Sequence, residues 1–195
     1  MRNQTLFDVT GKTVFVTGAS SGIGKAAATC LAECGAKVVA IARRENALKI
    51  WSQNTSGLTS FFSADISNRE KIKDIVSEIT SKEGDPDILI NAAGLNTREH
   101  ADDVTLDGWN KTLDLNLSTP FFMAQAVVEK MKEKQWGRII NYASLASRRA
   151  LPSSIAYGAS KGGIEQLTRA MAEAWSQFGV NVNAIAPGFF PTELT

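Results

Sequence analysis

The stretch Lys12-Thr13-Val14-Phe15-Val16-Thr17-Gly18-Ala19-Ser20-Ser21-Gly22-Ile23-Gly24 decides the fold. Its first six residues are a β-branched, apolar run of strand length, closed by Gly18, and helix formers follow Gly24. A strand, a glycine-rich turn and a helix start, in that order, give closely spaced glycines a purpose. They let the backbone turn tightly and approach a phosphate, which then sits at the positive end of the helix dipole. Two other readings of these residues fail. Gly18-Ala19-Ser20-Ser21-Gly22 also fits the nucleophile elbow Gly-x-Ser-x-Gly, but an elbow follows earlier strands and only seventeen residues precede Gly18. The phosphate loop Gly-x4-Gly-Lys-Ser/Thr is excluded by Ala19 and Ala26 at two required positions.

Outward from this turn, strand-like and helix-like stretches alternate. Lys37 to Ala42 reads as a second strand, ending in Arg43-Arg44. An acidic residue near this point would accept from the 2′-hydroxyl of an NAD ribose, whereas an arginine suits the 2′-phosphate of NADP. Arg43 therefore favours NADP(H) over NAD(H). Leu58 to Asp65 is a third strand, and the Asp65 carboxylate has two competing roles. It can accept from an adenine amino group, or the corner can cap the next helix through Ser67 or Asn68. A charged amphipathic helix over Arg69 to Lys82 and a strand over Asp87 to Asn91 follow, then the small residues Ala92-Ala93-Gly94. A long helical run from Leu106 to Lys134 carries Asn116 among leucines and Pro120, which should kink or restart it. Strand five leads to Ser144, a helix runs from Tyr157 to Phe178, and strand six, Gly179 to Ile185, closes with Pro187-Gly188. Six alternations without repeats predict an α/β, three-layer, doubly wound parallel sheet of Rossmann order 3-2-1-4-5-6.

Proton-transfer equipment lies late in the chain. Tyr157 and Lys161 are four residues apart, so on a helix they share one face. An ammonium beside a phenol favours the phenolate, bringing proton exchange closer to neutral pH. Ser144, at the end of strand five, could hydrogen-bond a substrate oxygen meanwhile. Alone, such a pair is commonly a half-buried ring beside a solvated amine; its weight comes from the dinucleotide-type turn upstream.

Composition narrows the remaining classes. At 195 residues with formal net charge +1, the chain can bury a core and has no basic block, which argues against nucleic acid as a partner. No apolar run reaches the roughly 18 residues of a membrane span, and no signal peptide is visible, so a soluble cytoplasmic protein is expected. Cys30 and Cys34 fit reduced thiols, and His100, the only histidine, cannot build a typical metal site.

Together Thr17-Gly18-x3-Gly22-x-Gly24, Asn91-Ala92-Ala93-Gly94, Asn116, Ser144, Tyr157-x3-Lys161 and Pro187-Gly188 resemble the short-chain dehydrogenase/reductase family, in its order and spacing over nearly the whole chain. The resemblance implies Tyr157 as general acid/base, Ser144 orienting the substrate oxygen, and Lys161 lowering the tyrosine pKa and binding the nicotinamide ribose. It implies that Asn116 anchors a proton-relay water. Gly18, Ser20, Ser21, Ile23 and Gly24 would line the pyrophosphate, Asp65 and Ile66 the adenine, and Asn91, Ala92 and Gly94 the ribose. Pro187, Gly188 and Thr192 would meet the nicotinamide. More finely, Leu6-Phe7-Asp8, Gly94 to Glu99 and Ile185 to Thr195 resemble gluconate 5-dehydrogenase-like members, with 3-oxoacyl carrier-protein reductases as an alternative. Arg98, Arg148 and Arg149 would suit a carboxylate-bearing substrate such as a sugar acid. A dinucleotide-binding module without turnover is the reading from another class. Small-molecule substrates and a homodimer or homotetramer are expected. Ala92 replaces the second Asn of many members. Members also continue past the Pro-Gly motif through a lid and a seventh strand, so residues 1–195 are expected to be one truncated Rossmann domain.

Overall fold

The β-branched runs become strands and the 3.6-periodic stretches become helices. The computed structural model describes residues 8–193; Leu6-Phe7 and Leu194-Thr195, which contribute to the resemblance, lie outside it. In chain order the elements are β1 (Thr13–Thr17), α1 (Gly22–Glu33), β2 (Lys37–Ala42), α2 (Glu45–Asn54), β3 (Leu58–Ser63), α3 (Ile72–Glu83) and β4 (Ile88–Asn91). Then come α4 (Leu106–Leu113), α5 (Thr119–Glu133), β5 (Gly137–Tyr142), α6 (Ile155–Trp175) and β6 (Val180–Ile185).

All neighbouring strands are parallel, and the sheet order is β3-β2-β1-β4-β5-β6, as the sequence predicts. Chain direction through the sheet reverses between β1 and β4. Their carboxyl ends therefore diverge into a crevice, the place where such sheets bind ligands. Register brings Thr17 beside both Ile41 and Asn91, and Asn91 beside Asn141.

Alternate strand residues feed two cores. Phe15, Val39, Ile41, Leu89 and Ile139 join Ile72, Val76 and Ile79 of α3 with Met123, Val127 and Met131 of α5. On the other face Val14, Val16, Val38, Ala40, Ile88 and Ile90 join Ala28 and Ala32 of α1 with Leu48 and Trp51 of α2. Burial on both faces is why β2 reads as a continuous apolar run rather than an alternating one. Each large buried side chain contributes about 1.5–3 kcal/mol. Trp51 keeps its indole N–H satisfied by donating 2.9 Å to Thr29 Oγ1. β6 differs: Val180 and Val182 are buried, while Asn181, Asn183, Ala184 and Ile185 are exposed.

The long helical run is interrupted where Pro120 predicts. Five residues of π-helix, Asp114–Ser118, separate α4 from α5, whose first turn contains the proline. Proline has no N–H for the helical ladder, and a widened turn accommodates that loss. Among the described residues no helix is long and apolar enough to cross a membrane.

Candidate active site

Thr17 fastens the two banks of the crevice together. Its buried hydroxyl accepts from the N–H groups of Ala92 (3.1 Å) and Ala93 (3.2 Å) and donates to Ile90 O (3.4 Å). Gly18 follows at φ +68°, and a Cβ there would lie 2.7 Å from the Ala93 backbone. Both the left-handed conformation and the close approach require glycine. A Cβ on Gly24 would meet Gly18 O at 2.5 Å, so this glycine lets α1 start hard against the turn. Ser21, the N-cap of α1, makes no side-chain cap, and there is no acidic residue in the first turn. The first-turn amides have no partner within the helix, which suits an anion at this end.

A cleft of about 770 Å³ runs along the carboxyl edge of the sheet. At one end it is lined by Gly18, Ser20, Ser21, Gly22, Ile23 and Gly24 with Arg43, Arg44, Asp65 and Ile66. Ala92, Ala93 and Gly94 form its middle, Ser144, Tyr157, Lys161, Pro187 and Gly188 line the other end, and Thr192 returns to lie beside Gly22. Thus sixteen of the predicted site residues (Gly18, Ser20, Ser21, Ile23, Gly24, Arg43, Asp65, Ile66, Ala92, Gly94, Ser144, Tyr157, Lys161, Pro187, Gly188 and Thr192) meet in one cavity.

At the Ser144 end, hydrogen bonds from α6 and its neighbours set the geometry. Ser144 Oγ accepts from Ala146 N–H at 3.1 Å, which occupies an acceptor site and leaves its O–H to donate. Ser147 reaches back in the same turn, accepting from Ser144 N–H (3.2 Å) and donating to Lys161 O (2.9 Å). This capping box ties the Ser144 loop to α6, and the Ser-x-x-Ser spacing is the sequence signal that identifies it. Lys161 Nζ donates to Tyr142 O at 2.6 Å and lies 5.7 Å from the centre of the Tyr157 ring. Burial pushes the Lys161 ammonium down to about 8, placing its titration near the physiological range.

Two predicted residues stand behind the cleft rather than along it. Asn116, fully buried in the π turn, accepts from Leu95 N–H and donates to Leu95 O, both at 2.8 Å, and donates to Ser160 Oγ at 3.1 Å. Its oxygen would lie 3.3 Å from a Cβ on Gly94, so it holds the loop that carries Gly94. Asn91 likewise turns into the protein, donating to Pro120 O (3.2 Å) and Asn141 Oδ1 (2.9 Å), and Asn141 donates on to Thr168 Oγ1 (2.9 Å). Asn91 is therefore absent from the cleft wall expected of it, and its position fixes β4 to β5 and α6 instead.

The Asp65 corner carries turn chemistry and lines the cleft as well. Asp65 accepts from Ser67 N–H at 3.0 Å, and Asn68 caps the following turn through Glu70 N–H at 3.1 Å. The Ser67 bond, helped by the Arg43 charge, holds the Asp65 carboxyl below its ordinary value. Arg44 rather than Arg43 contacts the glycine-rich turn, donating to Ser20 Oγ (3.1 Å) and Ser21 Oγ (2.5 Å). Arg148 is paired with Glu165 at 3.2 Å, and none of Arg98, Arg148 and Arg149 is on the cleft wall. The three arginines expected to meet a carboxylate thus lie elsewhere. Cys30 and Cys34 are free and exposed, and His100 is exposed beside Asp102 at 3.5 Å.

A dinucleotide fits these residues. The glycines leave room for a backbone-lined phosphate seat, the arginines are cationic at the far end, and the buried ammonium of Lys161 donates to the backbone carbonyl of Tyr142 beside the Tyr157 ring. Comparison with known proteins agrees. A family model described as short chain dehydrogenase matches residues 12–195. The NAD-dependent glycerol dehydrogenase of Listeria innocua is 40% identical over 188 residues, covering 96% of this chain and 74% of that protein. The gluconate 5-dehydrogenase of Gluconobacter oxydans is 34% identical over 200 residues, covering 100% of this chain and 77% of the relative. The crystal structure of a Burkholderia cenocepacia gluconate 5-dehydrogenase in complex with NADP and tartrate superposes with a TM-score of 0.88 at 33% identity, over 96% of this chain and 75% of that one. With its sheet order, cleft and matched length, the chain belongs to the short-chain dehydrogenase/reductase family of oxidoreductases acting on CH–OH groups.

Proposed function

We propose that the protein interconverts a secondary alcohol and a carbonyl on a small polyhydroxylated substrate, a polyol or a sugar acid, with NADP(H) favoured over NAD(H). When bound, the nicotinamide supplies or takes up a hydride. The carrying observation is the convergence of Ser144, Tyr157 and Lys161 at one end of a cleft whose other end is lined by two arginines.

In this reading the Tyr157 hydroxyl gives its proton to a carbonyl oxygen, and in the reverse direction the Tyr157 phenolate takes the proton of an alcohol. Ser144, with an acceptor site engaged by Ala146, donates its O–H to the same oxygen and orients it. Lys161 is held by Tyr142 O at 2.6 Å with its ammonium 5.7 Å from the centre of the Tyr157 ring, which places a positive charge beside the proton-transfer group. Asn116 acts through Leu95, fixing the loop beside Lys161. The Arg43-Arg44 pair supports the phosphorylated coenzyme, because a guanidinium fork matches a phosphate and a neutral 2′-hydroxyl gains less from it. The gluconate 5-dehydrogenase relatives support sugar acids and the glycerol dehydrogenase relative supports neutral polyols.

Fluorescence titration with NADPH and NADH, followed by an absorbance screen of polyols and sugar acids, tests this. At least tenfold tighter NADPH binding and coenzyme-dependent turnover of one of these alcohols are expected. Preference for NADH would overturn the coenzyme assignment, and binding of neither would overturn the site.

A further inference from the structure

Arg44 carries a third contact that the coenzyme reading does not use. Besides Ser20 and Ser21, its guanidinium donates through Nη1 to Glu193 Oε2 at 2.9 Å. Glu193 is 149 residues away in sequence, in the segment that follows β6 and Pro187-Gly188. Three chain segments around one cleft thus meet at a single cation: the glycine-rich turn, the end of β2 and the segment after β6. Thr192 packs beside the same turn, its side chain 3.5 Å from where a Cβ on Gly22 would be. The segment therefore lies against the mouth of the cleft at the glycine-rich turn. Hydrogen bonds from Ser21 and then Arg44 hold the Glu193 carboxyl below its ordinary value.

An anionic oxygen held by one guanidinium nitrogen beside two serine hydroxyls marks a place where a phosphomonoester would find a guanidinium and hydroxyl donors together. The bond is also weak enough to exchange. Arg44 and Glu193 are 50% and 66% exposed, and exposed pairs contribute little. A phosphate carrying close to two charges competes well against one carboxylate for the same guanidinium.

We propose that Glu193 is an internal stand-in for the 2′-phosphate of the coenzyme: it holds Arg44 and is displaced when a phosphorylated adenosine arrives. This rests on the NADP reading given above. Displacement releases the segment over residues 188–193, which also lines the Tyr157 end through Gly188 and Phe190. Occupancy of the phosphate seat thereby reports to the substrate end, whereas a nucleotide without the 2′-phosphate leaves the segment fastened.

Adenosine 2′,5′-bisphosphate and AMP test this without a nicotinamide, by calorimetric affinity and by hydrogen exchange of the backbone over 188–193. Wild type should bind the bisphosphate more tightly than AMP, and the bisphosphate alone should speed exchange in that segment. Glu193→Gln should bind the bisphosphate about two- to fivefold more tightly, the range corresponding to an exposed ion pair, with AMP affinity unchanged. Arg44→Ala should remove most of the preference for the bisphosphate, Arg43 keeping the remainder. If the bisphosphate is preferred but Glu193→Gln leaves its affinity unchanged, or if bisphosphate slows exchange over 188–193, the displacement is wrong while the NADP reading stands. If neither wild type nor Glu193→Gln prefers the bisphosphate to AMP, both fall.

Discussion

The two halves of the sheet hold the same cleft by different means. β1 and β2 are sealed on both faces, with Val38, Val39, Ala40 and Ile41 at zero exposure. β6 buries only Val180 and Val182 and exposes the four residues between and beyond them. In the first half geometry is fixed by backbone contact: Gly18 against Ala93, and Gly24 against Gly18. In the second half it is fixed by side chains bonded to backbone: Ser147 to Lys161 O, Lys161 to Tyr142 O and Asn116 to Leu95. The difference teaches where tolerance lies. Close backbone packing defines a seat that any coenzyme molecule of the same shape can use, whereas the bonded side chains hold titratable groups that would be costly in a sealed core.

Gly18→Ala offers the largest break in this comparison. The left-handed φ and the 2.7 Å approach to Ala93 admit no Cβ, so stability should fall by about 3–5 kcal/mol. Denaturant melts check it, and a loss under 1 kcal/mol would show that the turn yields. Lys161→Met should move stability the other way. The folded-state pKa of Lys161 lies near 8, against roughly 10.4 in an unfolded chain, so the unfolded state binds more protons between those values. The destabilising cost of the buried ammonium, about 3 kcal/mol, is therefore present in full below pH 8. It fades as pH rises towards 10.4. Lys161→Met should be more stable than wild type at pH 7, with the advantage shrinking above pH 8, while turnover is lost. Equal stability at both pH values would remove burial as the cause.

Much of this was legible in the sequence because the signals are local. Six β-branched runs gave the strands, and Tyr157 and Lys161 needed only one helical turn to meet. Pro120 marked the interruption that the π turn realises. What escaped depends on partners distant in the chain. Asn91 sits beside the small-residue turn and reads as a cleft residue. Its partners, Pro120 and Asn141, are 29 and 50 residues away and turn it inward. Choosing between Arg43 and Arg44 needed a one-residue register at a strand end, which fixes which guanidinium reaches Ser20 and Ser21. The arginines Arg98, Arg148 and Arg149 occupy loops, and loop direction is set by tertiary contacts such as Arg148 with Glu165.

The most direct measurement is Tyr157→Phe, followed by single-turnover kinetics on the substrate found by the screen and by NADPH titration of the same protein. Removing one hydroxyl should lower the chemical step by about 10²–10⁴-fold while coenzyme affinity changes less than about twofold. A chemical step that proceeds at the wild-type rate with coenzyme still bound would contradict the assignment of Tyr157 as the proton-transfer group.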